Sequence, residues 1–354
     1  MKLEQFHSPP HLGGPLDLTD TSILVTGGTG SFGKAFIRHL LDQTRVRRIA
    51  VYSRDEHKQS DLALALNAAD HERVRFFIGD IRDLDRLSMA MKNVDYVVHA
   101  AAMKIVPAAE YNPFECIQTN IIGAENVVRA SLQHSVKRII ALSTDKAASP
   151  INLYGATKLA SDKIFVAANH LAGGDGGRFS VVRYGNVMAS RGSVLPFFRK
   201  LIAQGAVDLP ITDERMTRFC ITLGQGVSFV LSSLAMMRGG EIFVPKIPSI
   251  RVVDLAHNLA PNLPLRMVGI RPGEKLHEMM ITTDDARTTV ELDDRYIIEP
   301  AIHLWDRQRS SLLEETGTRK VAEDFHYSSD INTHWLTGRD LSEFIAAGEA
   351  DARI

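Results

Sequence analysis

Short apolar runs and longer stretches with helical spacing alternate along the first half of the chain. Residues 22–26 read SILVT and stop at a glycine cluster. Similar runs fall at 48–52, 75–78, 95–99, 138–143 and 179–183. Between them apolar residues recur at helical intervals: over 34–42, Phe36, Ile37, Leu40 and Leu41 share one face. Further helices are predicted at 56–69, 83–92, 113–134 and 154–170. Strands apolar on both faces, separated by helices, predict a parallel sheet covered on both sides. The βαβαβ order is that of a Rossmann-type, doubly wound α/β fold.

The alternation weakens after residue 187. Helices are predicted at 194–204 and 224–236 and a strand at 241–244, which reads as a smaller substrate-binding domain over 188–300. The organisation expected is an irregular leader at 1–20, a dinucleotide-binding domain at 21–187, this second domain, and a charged extension at 301–354. The glycine-rich stretch 172–178 reads as a loop, since a strand follows at once.

Composition narrows the function classes. In 354 residues, 41 Lys plus Arg balance 42 Asp plus Glu, a net charge of −1. That argues against a whole-molecule grip on nucleic acid or anionic lipid. No apolar run is long enough to span a membrane, and the N-terminus lacks a signal-peptide pattern. A cytoplasmic protein is expected. Cys116 and Cys220 are far apart and the histidines show no ligand spacing, so neither a disulfide framework nor a metal site is predicted.

Two clusters carry candidate chemistry. The first is Thr26-Gly-Gly-Thr-Gly-Ser-Phe-Gly33, between the first strand and a helix. Gly27, Gly30 and Gly33 allow a tight turn and a close approach of backbone to a diphosphate, with Thr29, Ser31 and Phe32 between them. The helix N-terminus beyond offers free N–H groups to that anion. Ser53 and Arg54, ending the second strand, suit a ribose 2′-phosphate and favour NADP; Asp55 and Glu56 follow and keep NAD in view. Asp80 and Ile81 end the third strand, where the aspartate can reach an adenine amine. Ala100, Ala101 and Ala102 end the fourth, where small side chains let a cofactor lie against backbone.

The second cluster is Tyr154 and Lys158, four residues apart on one helical face. An ammonium near a phenol lowers its pKa, which suits proton exchange with a sugar hydroxyl. The pair follows Ser143-Thr-Asp-Lys146 at the end of the fifth strand, on the same rim of the sheet as the glycine turn.

With these residues the chain resembles the extended short-chain dehydrogenase/reductase superfamily. Within it, Tyr52-Ser-Arg-Asp-Glu56, Ser143-Thr-Asp-Lys146, Asn152-Leu-Tyr-Gly-Ala-Thr-Lys158, Arg183-Tyr-Gly-Asn186, Arg191-Gly-Ser193, Met216-Thr-Arg-Phe219 and Arg271-Pro-Gly-Glu-Lys-Leu-His-Glu278 resemble the inverting UDP-N-acetylglucosamine 4,6-dehydratases. The resemblance spans about residues 21–300 and resumes near Tyr327 and Trp335. Ser149, Ala189 and Cys220 depart from the family pattern.

The resemblance implies a tightly held NADP regenerated in each turnover, a UDP-N-acetylglucosamine substrate, an entry step to pseudaminic acid-type sugars, and a homo-oligomer, by resemblance a hexamer. Oxidation at C4 acidifies the sugar C5–H. Tyr154 is then expected to take the 4-hydroxyl proton, with Lys158 tuning it and holding the nicotinamide ribose. Thr144 would bond the 4-oxygen. Lys146, with a depressed pKa, would be the C5 base, and Asp145 the acid that protonates the departing 6-hydroxyl. Tyr154 is a candidate to return a proton to C5 from the opposite face. For the substrate, Arg218 and Arg271 are expected on the diphosphate and Glu274 on the uridine ribose. Asn186 and Ser193 would line the pocket and Lys104 would approach the sugar. Two other readings share these residues: a UDP-sugar 4-epimerase, which needs only the Tyr–Lys pair, and a non-catalytic NADP-sensing protein.

Overall fold

A computed structural model describes residues 6–9, 12, 14–174, 176–301, 312, 315 and 317–352. The other parts of the expected leader, loop and extension lie outside the described residues. The strands are β1 Ser22–Thr26, β2 Arg48–Ser53, β3 Val74–Ile78, β4 Tyr96–His99, β5 Arg138–Thr144, β6 Arg178–Tyr184, β7 Asn186–Val187, β8 Leu209–Ile211 and β9 Thr217–Ile221. They continue as β10 Ile242–Pro245, β11 Ser249–Arg251, β12 Leu265–Met267, β13 Met279–Ile281, β14 Thr289–Glu291, β15 Arg295–Ile298, β16 Arg319–Lys320 and β17 Tyr327–Ser328.

Ten of them form one sheet, in the order β16-β14-β15-β10-β6-β5-β4-β1-β2-β3. From β3 to β10 every neighbouring pair is parallel. β1 is buried at every position, as a strand covered on both faces must be. The order 3-2-1-4-5-6 reverses direction between β1 and β4, and a crevice opens there at the carboxyl ends of the strands.

The sheet does not stop at residue 187. β10 adds to it in parallel, and β15, β14 and β16 extend it antiparallel, so the chain returns to the first layer after leaving it. These late strands are only two to four residues long, too short for their period to stand out in the sequence. The small sheets are β11-β9-β7, β12-β8 and β13-β17, and β7 lines the crevice.

The leader is irregular but packed. Phe6 and Leu12 are buried, and the Phe6 ring meets Phe229 edge-on at 4.7 Å. The end of the chain is also tied in. The helix Gly338–Asp351 buries Leu341, Phe344 and Ile345 against Met188 and Leu195. The helix expected at 113–134 is three pieces, Pro113–Ile117, a π-helical turn Gln118–Ile122, and Gly123–Gln133. Among the described residues, no helix is long and apolar enough to cross a membrane.

Candidate active site

A cleft of about 760 Å³ lies over the switch point. On one wall stands the glycine turn. Gly27 has φ +66°, and a Cβ there would lie 2.9 Å from the Ala101 backbone. A Cβ on Gly33 would lie 2.5 Å from the Gly28 backbone. The turn therefore packs backbone on backbone, as the glycine spacing implied. The helix Ser31–Gln43 begins there with no side chain capping it and no acid in its first turn. Its leading N–H groups are left for an anion. Thr26 fixes the next strand end: its hydroxyl lies 2.8 Å from His99 Nδ1 and accepts from the N–H groups of Ala100 and Ala101. Thr29, Gly30, Ser31, Phe32, Ser53, Arg54, Asp80, Ile81 and Ala100–Ala102 all line this half.

The adenine end differs in detail from expectation. The Asp80 carboxylate is already held by Arg82 at 2.7 Å and 3.0 Å, and Arg54 stands 3.6 Å from it. Ser53 accepts from Gln59. Arg54 remains exposed on the rim, and Lys58 joins it there. A nicotinamide dinucleotide fits this half of the cleft: backbone donors for a diphosphate, small walls, and cations at the ribose end.

On the other wall, β5 delivers Thr144, and a single 3₁₀ turn, Asp145–Ala147, presents the next two residues. Asn152 caps the helix Leu153–Ala172, accepting from the Gly155 N–H at 2.7 Å. The same Asn152 donates to the Gly273 carbonyl, which ties the helix bearing Tyr154 and Lys158 to the loop bearing Arg271. Thr144, Lys146, Tyr154, Lys158, Asn186, Ser193, Lys104 and Arg271 line the cleft together with the glycine turn.

Lys146 is the electrostatic centre. Its Nζ donates to Asp145 Oδ1 at 3.1 Å and lies 2.9 Å from Glu278 Oε1. Asn186 Oδ1 is 3.5 Å away. Thr144 also donates to Asp145 Oδ1, while Asp145 Oδ2 and Glu278 Oε2 are buried without a partner. Burial, with the neighbouring Glu278 charge, raises the Asp145 carboxyl above its ordinary range against the pull of Lys146. This suits a carboxylic acid that keeps its proton. Lys146 does not have the depressed pKa expected of it. Desolvation alone would lower it, but Asp145 and Glu278 together raise it.

Tyr154 is pushed up to about 12 by burial. The ammonium that opposes this is that of Lys146, helped by the Thr144 hydroxyl, rather than that of Lys158. Lys158 itself is lowered by burial, with Asp162 opposing. It presses on His99, which burial and this charge take down to about 3.

The substrate-side residues divide. Lys104 and Arg271 stand exposed on the rim. Arg218 does not reach the cleft. It is buried on β9, donates to the carbonyls of Thr217 and Leu276, and stands 3.8 Å from Glu278 and 3.6 Å from Glu274. Glu274 is likewise turned to Arg218 and leaves one oxygen buried and unpaired. Ser149 and Ala189, which depart from the family pattern, both adopt left-handed backbone, φ +46° and +59°. Sequence reading gave no role to Glu278, the last residue of a quoted motif. It also missed Arg191, whose guanidinium donates to the Thr29 carbonyl and closes residues 186–193 onto the glycine turn.

A parallel sheet with its switch-point cleft, a glycine turn at the first strand and a Tyr–Lys pair on a facing helix define a short-chain dehydrogenase/reductase-type protein. The chain belongs to the polysaccharide biosynthesis protein family, whose model matches residues 23–300. It is 57% identical to an inverting UDP-N-acetylglucosamine 4,6-dehydratase of Campylobacter jejuni, over 92% of this chain and 97% of that one. It is 42% identical to a UDP-glucose 4-epimerase of Rickettsia bellii, over 92% of this chain and 95% of that one. Among solved structures it is similar to DesIV, a dTDP-glucose 4,6-dehydratase of Streptomyces venezuelae with NAD and TYD bound. There the TM-score is 0.66 and the identity 25%, over 72% of this chain and 87% of that one.

Proposed function

We propose that the protein is a UDP-N-acetylglucosamine 4,6-dehydratase that inverts C5, giving UDP-2-acetamido-2,6-dideoxy-L-arabino-hex-4-ulose. It is a carbon–oxygen lyase at the entry to pseudaminic acid-type sugars. The observation that carries this reading is the Asp145–Lys146 pair: Lys146 lines the cleft with Thr144 and Tyr154, and Asp145 is buried directly behind it, bonded to both Lys146 and Thr144. An epimerase needs the Tyr–Lys pair but has no work for a second acid and base. The relatives named as dehydratases support the same reading.

When bound, the nicotinamide dinucleotide supplies hydride chemistry at C4 and C6. Gly27, Gly30 and the open helix N-terminus hold its diphosphate, and Arg54, Ser53 and Lys58 favour the 2′-phosphate of NADP. Tyr154, as the phenolate that the Lys146 ammonium and the Thr144 hydroxyl stabilise against burial, takes the 4-hydroxyl proton while Thr144 bonds the 4-oxygen. The Lys146 amine, freed when its ammonium passes a proton to Asp145 across their 3.1 Å contact, removes the C5 proton, acidified by the 4-ketone. Asp145 protonates the departing 6-hydroxyl, and Tyr154 returns its proton to C5 from the opposite face. By this assignment the C5 proton leaves in water and the 4-hydroxyl proton ends on C5. Arg271 on the rim suits the nucleotide diphosphate, and Lys104 there suits the sugar. A homo-oligomer is the working unit.

Incubation with UDP-N-acetylglucosamine in D₂O tests the reading. The expected product is a 4-keto-6-deoxy sugar with deuterium at an inverted C5, seen by mass and NMR. A C4 epimer free of ring deuterium establishes the epimerase instead.

A further inference from the structure

Glu278 lies 132 residues from Lys146 in the chain, yet it is the closest oxygen partner of the Lys146 ammonium. It sits just before β13, which β17 clamps by antiparallel pairing. The Glu278 carbonyl accepts from the Ser329 N–H, and the Glu278 N–H donates to Ser329 Oγ, so the backbone at this point is pinned from both directions. Its side chain is 1% exposed. A carboxylate excluded from water to this degree is costly unless something charged needs it. Arg218 stands behind it at 3.8 Å and Lys146 in front at 2.9 Å.

The geometry points to Glu278 as a positioning residue for the dehydration. It holds the Lys146 nitrogen between itself and Asp145, and it compensates the positive charge that Lys146 gains on taking the C5 proton. The inference rests on the reaction proposed above.

The step balances within the pair. It starts once the Lys146 ammonium, the form that Asp145 and Glu278 favour, has passed a proton across the 3.1 Å contact, leaving a Lys146 amine and a protonated Asp145. The C5–H bond breaks, its proton bonds to Nζ, and its electron pair moves toward the 4-ketone and then expels the C6 oxygen. Asp145 gives its proton to that oxygen, which leaves as water. Lys146 ends as an ammonium and Asp145 as a carboxylate, and the 3.1 Å contact lets the proton pass back. Glu278 stays ionised throughout. It stabilises the ammonium more than the amine, and so acts on the transition state rather than on the bound substrate. The same negative charge opposes ionisation of Asp145. The other titratable groups packed around the pair are Arg218 and Cys220 on β9, Lys275 on the Glu278 loop, and Tyr154 on the facing helix.

Glu278→Gln keeps the shape and removes the charge. Lys146 and Asp145 should each release a proton at lower pH, so both limbs of the kcat profile shift toward acid by about one unit. Product formation should fall about 100-fold, while dinucleotide binding measured by calorimetry and the thermal transition stay at wild-type values. Glu278→Asp keeps the charge at shorter reach. It should lose about tenfold in kcat with the profile in place. Glu278→Gln turnover within about threefold of wild type, or reduced turnover with an unmoved profile, overturns the proposal. If Glu278→Gln does not fold, Glu278→Asp decides, and wild-type turnover in it counts against the role. Failure of both to fold marks a structural residue and overturns it too. A wild-type protein that makes no 4-keto-6-deoxy product rejects the proposed reaction; an active wild type with an indifferent Glu278→Gln rejects only the role of Glu278.

Discussion

Asp145 is buried to 0% exposure, its side chain accepts from Lys146 and Thr144 and from no backbone N–H, and one oxygen has no partner. Such a group survives in the core because Lys146 and Thr144 hold its other oxygen and because keeping a proton removes the charge. Its raised pKa has a consequence for rate. The proton is present below the raised value and lost above it, so the acid step fails as pH climbs through that value. Asp145→Asn cannot donate the proton at any pH. We expect kcat to drop about 10²–10⁴-fold in this variant, with the alkaline limb gone and C5 exchange with D₂O still detectable by mass spectrometry. Loss of exchange in parallel with product places Asp145 in the C5 step instead. That Tyr154 and Lys158 share a helical face at the rim where β5 ends was legible because strand ends and i,i+4 spacing are local signals, while the roles expected of Thr144, Asp145 and Lys146 came from the resemblance. The two-carboxylate grip on Lys146 was not legible, since tertiary packing alone brings Glu278 across. For the same reason Arg218, chosen for its charge, proved to be spent on Glu278, Glu274 and backbone carbonyls.

At the scale of elements, the turn Asp145–Ala147 and the helix Leu153–Ala172 are positioned by direct backbone contact. A Cβ on Gly155 would lie 2.2 Å from the Lys146 carbonyl oxygen and 3.1 Å from its carbonyl carbon. The helix Leu153–Ala172 can press onto the turn Asp145–Ala147 only because position 155 has no side chain. The obstacle is backbone, so it cannot swing aside. Gly155→Ala should cost about 1–3 kcal/mol, seen as a lowered thermal midpoint, and kcat should fall more steeply than stability because Tyr154 is displaced from Lys146. A variant of unchanged stability and kcat contradicts this packing. The strand–helix alternation was readable through the parallel half, where the strands are mostly apolar. It was less readable at 113–134, where a π-helical turn lets Asn120 bond Met103 N and O and Thr157. No hydrophobic period announces such a turn, because its reason is a polar contact with the loop after β4.

The whole molecule couples its last helix to the cofactor end of the cleft. Met188 begins the segment that carries Arg191 to the Thr29 carbonyl. It is packed with Leu341, Phe344 and Ile345, and Gly348 lies so close that an added Cβ would meet Met188 Cγ at 2.7 Å. The sequence shows only a charged extension here, because its buried residues are few and spaced along one helical face. Ala189 follows Met188 in left-handed backbone, a conformation that costs an alanine about 1 kcal/mol and needs its surroundings to hold it. Phe344→Ala should therefore do two things. Removing a 1% exposed ring should cost about 3–5 kcal/mol in chemical denaturation. Loosening Met188 should also free Arg191 from the glycine turn and weaken dinucleotide binding about tenfold by calorimetry, although position 344 is not among the residues lining the cleft. A destabilised variant that binds dinucleotide with wild-type affinity would show that residues 186–193 keep their place without the helix, and that the last helix serves stability alone.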